Sequence, residues 1–282
     1  MARGRSPVMQ RRRLAAELHR LRSRSGKTLE EVAAYLECSP AKVSRIENNQ
    51  VAVRIQDARE LLDLYGVTGD RREELLQMVR EARVKGWWSG YADLLDEATE
   101  TLLSLEEEAA AIRIYASAVV PSLLQTAEYA QSYLRAWADL PLNVIRRRVD
   151  LCMERQRILH RPDPPELTVV LDEAALRRPI DSPGVMRAQL DRLVADSARP
   201  SVTLLVLPFA AGPHQAMGFP FRVFEFAGED PKVAYAEVLD RGHPIESAEE
   251  VGRYSAAFEQ VRARSLTPHE SRRFLKELLD SM

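Results

Sequence analysis

One short stretch of the chain carries side chains that could contact a nucleic acid. Residues 39–48 read SPAKVSRIEN, and Val43 and Ile46, three positions apart, can be buried on one face of a helix. The outward face then carries small, cationic and amide side chains: Ser39, Ala41, Lys42, Ser44, Arg45 and Asn48. Such groups hydrogen-bond to phosphates and base edges, and the small ones let a helix approach a groove closely. We expect Lys42 and Arg45 to contact bases or phosphates in the major groove of double-stranded DNA.

Two helix-start signals would position this outward face. Thr28 followed by Glu31 has the spacing of a capping box, in which each side chain accepts the other residue's backbone N–H. Ser39 and Pro40 start the second helix, with serine as N-cap and proline where its missing N–H costs nothing. The pattern predicts a helix, a tight turn and a second helix; an ordinary helical hairpin in a bundle is the alternative. Pro40 belongs to the DNA-binding set, and weaker candidates for contacts to the DNA backbone are Thr28, Arg11, Arg12 and Arg13.

Residues 28–49 resemble the helix-turn-helix of the Xre/Cro-repressor family, whose pattern runs T..E.A...G.S...IS..E.G. The chain departs from this pattern at Glu37 and Asn49, where the family commonly has glycine. Asparagine tolerates the left-handed backbone conformation better than glutamate does, so Glu37 is the larger departure and could alter the angle between the helices. The resemblance implies a DNA-binding domain like that of the lambda repressor.

Basic residues are concentrated in the first fifth of the chain. Residues 1–54 contain 12 Lys/Arg and 5 Asp/Glu, a balance of +7, so the remainder carries −9 to give the total of −2. A basic module joined to an acidic one fits a DNA-binding domain attached to a separate domain. Residues 1–7 are a basic end, either unstructured or an arm that contacts DNA.

The composition predicts a folded protein outside the membrane. The 282 residues, 45% hydrophobic and 29% charged, suffice for two globular domains. No apolar run approaches the roughly 20 residues that span a bilayer, and no apolar signal core follows the basic N-terminus, so we expect a cytoplasmic protein. Cys38 and Cys152 are too few for a disulfide framework or a metal site.

We predict two domains and a linker. Residues 1–85 form an all-α, five-helix, Xre/lambda-repressor-like DNA-binding domain. Residues 86–105 form a linker with a joining helix and the Trp87-Trp88 pair, which would pack between the domains or against a partner. Residues 106–282 form an α/β (or α+β) effector-binding domain with about five strands. The strand candidates are residues 110–120, 167–171, 202–207, 219–226 and 233–239.

The second half carries few groups arranged for catalysis. The five histidines of the chain are dispersed, with no pair at metal-ligand spacing, so we predict no enzyme, no cofactor and no metal site. Asp172, Glu173 and Glu237 could do carboxylate chemistry. The alternative is that they flank strand ends, cap helices or pair with neighbours such as Arg177.

Two segments are candidates for binding an effector. Residues 208–220 are a Gly/Pro-rich loop after an apolar strand, with His214 and Gln215 as ligand-binding groups; a plain surface connection is the alternative. Arg155 and Arg157 could bind an anionic ligand or the acidic face of a partner. They could also form an ion-pair network within the domain.

Residues 105–279 resemble the C-terminal domain of the WhiJ-like regulators of filamentous high-GC bacteria. The resemblance rests on an ordered series of motifs, at residues 121–126 with 129–130, 155–157, 171–177, 189–190, 206–208 with 212, 221 and 237. The family usually has glycine where this chain has Ser122. The resemblance implies a regulator of development or secondary metabolism, often encoded beside a small companion protein and sometimes described as antitoxin-like.

Two functions follow as hypotheses. The first is a sequence-specific transcriptional regulator whose second half senses a small molecule or the companion protein. We expect it to bind DNA as a homodimer, because one short helix reads too little DNA alone. The second is an antitoxin-like or scaffold protein whose C-terminal domain chiefly binds a small partner protein. Neither hypothesis involves a membrane.

Overall fold

The computed structural model describes residues 6–84, 86–137, 139–228, 230–238 and 241–282. The chain divides into a first unit that ends at Ser89 and a second that begins at Gly90, within the region expected to be a linker. Of the basic end expected over residues 1–7, residues 1–5 lie outside the described residues. Ser6 and Pro7 start the first helix.

The described part of the first unit is helical. Its helices are α1 (Pro7–Arg24), α2 (Leu29–Tyr35), α3 (Pro40–Glu47), α4 (Ile55–Leu64) and α5 (Gly69–Glu81). The apolar pattern of the sequence alone predicts a start near Glu74 for the last of these helices, whereas α5 begins at Gly69. The first turn of α5 is polar, and the apolar periodicity begins only at Leu75, so the periodicity does not predict where this helix starts.

An apolar cluster to which every one of these helices contributes fixes their arrangement. Leu18, Val32, Ile46, Leu61 and Leu75, one from each helix, are at most 3% exposed. Burying each of these side chains stabilises the fold by about 1.5–3 kcal/mol. Since α3 packs against both α1 and α2, its outward face is presented from a rigid base.

The second unit is built on a six-stranded mixed sheet. Its strands are β1 (Ala111–Ala116), β2 (Glu166–Asp172), β3 (Val202–Leu207), β4 (Phe221–Glu225), β5 (Val233–Val238) and β6 (Arg241–Ile245). The strand order is β3-β2-β1-β4-β5-β6. β1, β2 and β3 run parallel, whereas β1 pairs antiparallel with β4, and β4, β5 and β6 continue antiparallel.

Helices flank this sheet. They are α6 (Glu97–Glu108), α7 (Ala127–Trp137), α8 (Leu142–Arg155), α9 (Glu173–Arg177), α10 (Pro183–Asp196), α11 (Ala248–Arg264) and α12 (Pro268–Asp280). α11 covers β1, β3, β4 and β5, and its Phe258 packs with Tyr115 and Val223. α6, which begins in the expected linker and ends three residues beyond it, packs against β6 and buries Leu102 and Leu103.

Two elements that the sequence analysis did not predict, β6 and α11, have weak sequence signals for physical reasons. β6 contains Gly242 and Pro244, which are poor strand formers; proline is tolerated here because β6 is an edge strand. α11 has 17 residues but buries only Val251, Phe258 and Val261, so its apolar periodicity is weak.

The tryptophan pair lies on a 3-10 helix, Trp87–Leu94. Trp88 is buried and Trp87 is partly exposed, with the ring centroids 5.6 Å apart in an edge-to-face arrangement. Among the described residues, no helix combines the length and the apolar content that crossing a membrane requires.

Candidate functional site

Side-chain caps start both helices of the helix-turn-helix. The Thr28 Oγ1 accepts the Glu31 N–H at 3.2 Å, and the Glu31 Oε2 accepts the Thr28 N–H at 2.8 Å. The Ser39 Oγ accepts the Lys42 N–H at 3.3 Å, with Pro40 at the first helical position. The predicted capping box and serine cap are thus confirmed, and they set where α2 and α3 begin.

The turn between α2 and α3 uses a left-handed residue. Glu37 has φ +49° and donates its N–H to the Ala34 carbonyl at 3.3 Å, while Cys38 donates to the Ala33 carbonyl at 2.9 Å. This pair of bonds is a Schellman motif, whose left-handed position glycine usually occupies. Asn49, after α3, also has positive φ, at +56°. Both positions where glycine was expected from the resemblance therefore adopt the conformation that favours glycine.

The outward face of α3 is composed as the sequence predicted. Val43 and Ile46 are buried, 1% and 3% exposed, so the remaining side chains point away from the core. The exposed members are Ser39, Pro40, Ala41, Arg45 and Asn48, and the partly exposed members are Lys42 and Ser44. Small side chains dominate its N-terminal half, which lets that end approach another surface closely.

The two cations of α3 differ in their surroundings. The Lys42 Nζ lies 2.7 Å from the Asp57 Oδ2 of α4, so this ammonium is already paired. Arg45 is exposed and donates its Nε–H to the Ala41 carbonyl at 3.3 Å; no described carboxylate pairs with it. Arg45 is therefore the α3 cation more readily available to an external acceptor.

An ion pair that the sequence analysis missed joins α1 to α3. The Arg22 Nε and Nη2 donate to the two carboxylate oxygens of Glu47 at 2.7 and 2.9 Å, and Nη1 donates to the Lys27 carbonyl at 3.0 Å. The hydrogen bond with Glu47 raises the pKa of Arg22. Both side chains are largely buried, so this pair fixes the C-terminal end of α3 instead of facing solvent.

The weaker DNA-contact candidates are spread around the first unit. Arg11, Arg12 and Arg13 are all partly buried on α1, and successive helix positions point about 100° apart. Arg13 shares a surface hollow with Asp70 and Glu73 of α5. The three arginines therefore do not form one basic surface, while Thr28 is exposed at the start of α2.

The second unit contains a cavity of about 370 Å³. Its wall combines residues 114–122 at and beyond the end of β1 with side chains from α6, α7, α8, β4 and β5. Part of the lining is apolar, including Leu102, Leu134, Leu151 and Phe221. Because the lining residues come from segments far apart in sequence, no local sequence motif predicts this cavity.

Arg155 lines the cavity and Arg157 does not. The Arg155 Nε and Nη2 donate to the two oxygens of Glu106 at 3.0 and 2.7 Å, and Glu106 is 2% exposed. Burial acts to lower the pKa of Arg155, but the Glu106 carboxylate outweighs burial and raises it. Arg157 has a side chain 77% exposed and pairs with Glu154 on the same surface. The expected intradomain ion pairs are present, and only Arg155 of the two reaches a cavity.

A second arginine-carboxylate pair lines the same cavity. The Arg222 Nη1 donates to the Glu237 Oε1 at 2.6 Å, and the charge of Arg222 lowers the pKa of Glu237. The Arg222 Nε is buried and has no hydrogen-bond partner among the described protein atoms. The same holds for the Arg148 Nε and the Ser122 Oγ, which belong to two further lining residues.

The predicted effector loop is arranged differently from the expectation. The His214 side chain is 3% exposed, with its Nε2 3.5 Å from the Tyr115 hydroxyl, which in turn donates to Asp172 at 3.3 Å. Gln215 donates its backbone N–H to the Gln260 side chain at 3.3 Å. Neither His214 nor Gln215 lines the cavity; of residues 208–220, Pro220 is the one in the cavity wall.

The carboxylates weighed for catalysis have structural contacts. The Asp172 Oδ1 accepts the Ala174 N–H at 2.9 Å and caps α9. Glu173 accepts the Phe209 N–H at 2.8 Å and pairs with Arg177. These contacts are the cap and the neighbour pairing that the sequence analysis gave as the alternative to catalysis. Within the described residues, no cluster of His, Cys, Asp and Glu has the grouping that could hold a metal ion.

Comparison with known protein families also places a helix-turn-helix domain before a separate C-terminal domain. A family described as "Helix-turn-helix domain" matches residues 13–75. A second, described as "Domain of unknown function (DUF5753)", matches residues 99–277, which is more than half of the chain. No curated protein and no solved structure matches this chain.

Proposed function

Because the chain belongs to the DUF5753 family and carries a helix-turn-helix domain ahead of that domain, we propose that it is a sequence-specific, DNA-binding regulator of transcription. The observation that supports this most is the outward face of α3, with Arg45 exposed and without a carboxylate partner among the described residues. The balance of +7 over residues 1–54 adds a favourable electrostatic term for a phosphate backbone.

In the proposed complex, α3 enters the major groove with its N-terminal half leading. Arg45 contacts a base edge or phosphate, and Lys42 does so after exchanging Asp57 for a DNA phosphate. Ser39, Pro40, Ala41, Ser44 and Asn48 line the approach. Thr28 and the arginines of residues 11–13 contribute backbone contacts at most, since the arginines are partly buried.

We propose that the protein binds DNA as a homodimer. α3 has eight residues and exposes few groups able to read base edges, so one copy covers a short half-site. Two copies would read half-sites about 34–36 Å apart, one helical turn of DNA. Light scattering of the free protein and of its DNA complex tests this: a single copy in both samples overturns the dimer.

The second unit is proposed to sense a small molecule. Its cavity of about 370 Å³ falls within the roughly 300–1,000 Å³ of small-molecule pockets and combines apolar walls with several polar groups. The resemblance to WhiJ-like regulators supports a role in development or secondary metabolism and a small companion protein encoded nearby.

A second candidate function is an antitoxin-like or scaffold protein. The observation that favours it is that the 208–220 loop exposes three large apolar side chains, Phe209, Met217 and Phe219. Exposed apolar clusters often mark protein-binding surfaces. Purification of a stoichiometric small protein with the chain, lost on Phe219→Ser, favours this function over small-molecule sensing.

Sequencing of genomic DNA fragments captured by the full-length protein tests the proposed function. We expect the captured fragments to share a short motif, in inverted repeat if the protein is dimeric. Fragments captured by Arg45→Ala should share that motif less strongly. Captured fragments that resemble each other no more than the input DNA would overturn sequence-specific binding.

A further inference from the structure

Three residues of the cavity wall in the second unit each have a buried polar atom that no described protein atom pairs with. The Arg222 Nε, the Arg148 Nε and the Ser122 Oγ are buried atoms without a partner among the described protein atoms, and all three residues line the cavity. Arg222 as a whole is 8% exposed. Buried donors normally have acceptors, so donors of this kind around one cavity indicate an acceptor supplied from outside the chain.

The charges around the cavity leave an excess of positive charge. Three arginines line it, Arg148, Arg155 and Arg222, against the single carboxylate of Glu237 among the described lining residues. Glu106, which is not part of the cavity wall, neutralises Arg155, and Glu237 neutralises Arg222 by accepting one hydrogen bond from the Arg222 Nη1. Arg148 has no carboxylate within ion-pair distance among the described residues, so the excess is at most about one charge.

The other titratable groups of the cavity wall do not cancel this excess. Burial raises the pKa of the Cys152 thiol and raises the pKa of Tyr235 to about 12, so both lining groups are neutral near pH 7. The hydrogen bonds from Thr99, with the Thr99 N–H 2.7 Å from the Asp96 Oδ1, and more weakly the charge of Arg148 lower the pKa of Asp96, so this carboxylate is ionised and offsets part of the Arg148 charge. Asp96 is not part of the cavity wall.

Much of the remaining wall is apolar and suits the body of an organic molecule. Its apolar lining includes Leu94, Leu95 and Leu102, together with Leu134 of α7 and Leu151 of α8. A phosphate monoester, with two charges, would exceed the excess of one. A carboxylate carries one charge and accepts N–H bonds from guanidinium groups in a favourable geometry.

We propose that this cavity binds a small organic monoanion, a carboxylate attached to an apolar body. The carboxylate accepts hydrogen bonds from the Arg222 Nε, the Arg148 Nε and the Ser122 hydroxyl. The apolar body packs against the leucines of α6, α7 and α8. Only the role of this ligand in regulation rests on the proposed sensing function. The proposed binding adds the chemical class of the molecule that is sensed.

Isothermal titration of the full-length protein with matched acids and amides tests the proposal. The probes are decanoate and 2-naphthoate, each paired with its neutral primary amide, and 2-naphthyl phosphate as the dianion. We expect at least one acid to bind one per chain, at least tenfold more tightly than its amide and more tightly than the phosphate. Amides that bind as well as both acids, or no binding by either acid, would overturn the proposal.

Variants locate the site. Arg148→Met and Arg222→Lys should each weaken acid binding at least fivefold; the lysine keeps the charge beside Glu237 and removes the free Nε–H. Arg146→Met, an exposed arginine two residues from Arg148 on α8, is the matched control and should bind the acid as wild type does. Leu134→Trp should reduce binding of acid and amide alike by filling the cavity.

Two measurements keep the result interpretable. Circular dichroism melts identify any variant that fails to fold. Arg148→Met carries the test if Arg222→Lys is unstable, because none of the described carboxylates lies within ion-pair distance of Arg148. DNA binding by the same samples separates the claims. Acid binding without sequence-specific DNA binding would overturn the proposed function alone, whereas specific DNA binding without acid preference would overturn this inference alone.

Discussion

At the scale of single residues, Glu37 carries the clearest backbone strain in the candidate DNA-binding region. Its φ of +49° lies in the left-handed region, which costs an L-residue with a side chain roughly 1–2 kcal/mol. The Schellman bonds of the turn hold it there. Asn49 adopts a similar φ, but its short polar side chain tolerates this conformation.

Glu37→Gly should therefore raise the free energy of unfolding by about 1 kcal/mol, after allowing for the extra freedom that glycine has in the unfolded chain. Urea denaturation followed by circular dichroism measures the change. Asn49→Gly is the matched control and should change stability less. A loss of stability in Glu37→Gly would contradict the strain assigned to this turn.

The residue scale also sets how far the sequence could predict the site. Thr28, Glu31 and Ser39 act on backbone groups three residues away, so their spacing alone located the starts of α2 and α3. The Arg22–Glu47 pair joins residues 25 apart in sequence, and only the folded arrangement of α1 and α3 brings them together. Nothing in the sequence around either residue marks that pairing.

At the scale of elements, the position of α3 depends on this same Arg22–Glu47 pair. Glu47→Gln leaves a largely buried guanidinium without its counter-charge and should destabilise the first unit by roughly 3 kcal/mol. Combining it with Arg22→Met should cost less than the sum of the single changes, as a double-mutant cycle of unfolding free energies would show. Additive losses would mean that the two side chains do not interact.

The pairing of α3 with α4 restrains Lys42 in the free protein. Asp57→Asn removes the carboxylate 2.7 Å from the Lys42 Nζ and should strengthen DNA binding. If Lys42 is thereby released to a phosphate, the slope of log affinity against log salt should steepen by about one. Unchanged affinity and slope would show that Lys42 does not reach DNA, and the double variant with Lys42→Ala provides the control.

The helices and strands also differ in how well they could be predicted from the sequence. β2 and β3 are continuous apolar runs, and their positions were predicted closely. β6 was missed because Gly242 and Pro244 argue against a strand, and only pairing with β5 makes it one. α11 was missed because its polar face dominates a 17-residue helix. Strand order depends on long-range pairing, which no local pattern carries.

At the scale of the whole molecule, a basic DNA-binding segment precedes an acidic unit with a charged cavity. The cavity could not be predicted, because its wall joins residues from 94 to 242 that no single motif contains. Of the four ligand-site candidates, Arg155 lines it, whereas Arg157, His214 and Gln215 do not. The difference in net charge between residues 1–54 and the rest of the chain, by contrast, could be predicted from the composition.

If the cavity regulates DNA binding, the two binding equilibria must be linked. The carboxylic acid that binds best should change the affinity for the captured DNA motif by roughly 5- to 150-fold, and the DNA should change the affinity for the acid by the same factor. Titrations of each ligand with and without the other measure both factors. Acid binding that leaves DNA affinity unchanged would show that this cavity does not control the first unit.

The affinity of the full-length protein for its captured DNA motif, measured by fluorescence anisotropy at one salt concentration, tests α3 as the reading helix most directly. Arg45→Ala should weaken binding by about 1–3 kcal/mol and relax the preference at one base pair. Arg80→Ala, which removes an exposed arginine of α5, is the matched control and should have a much smaller effect. Equal affinity of wild type and Arg45→Ala for the motif would contradict the proposed DNA-reading role of α3.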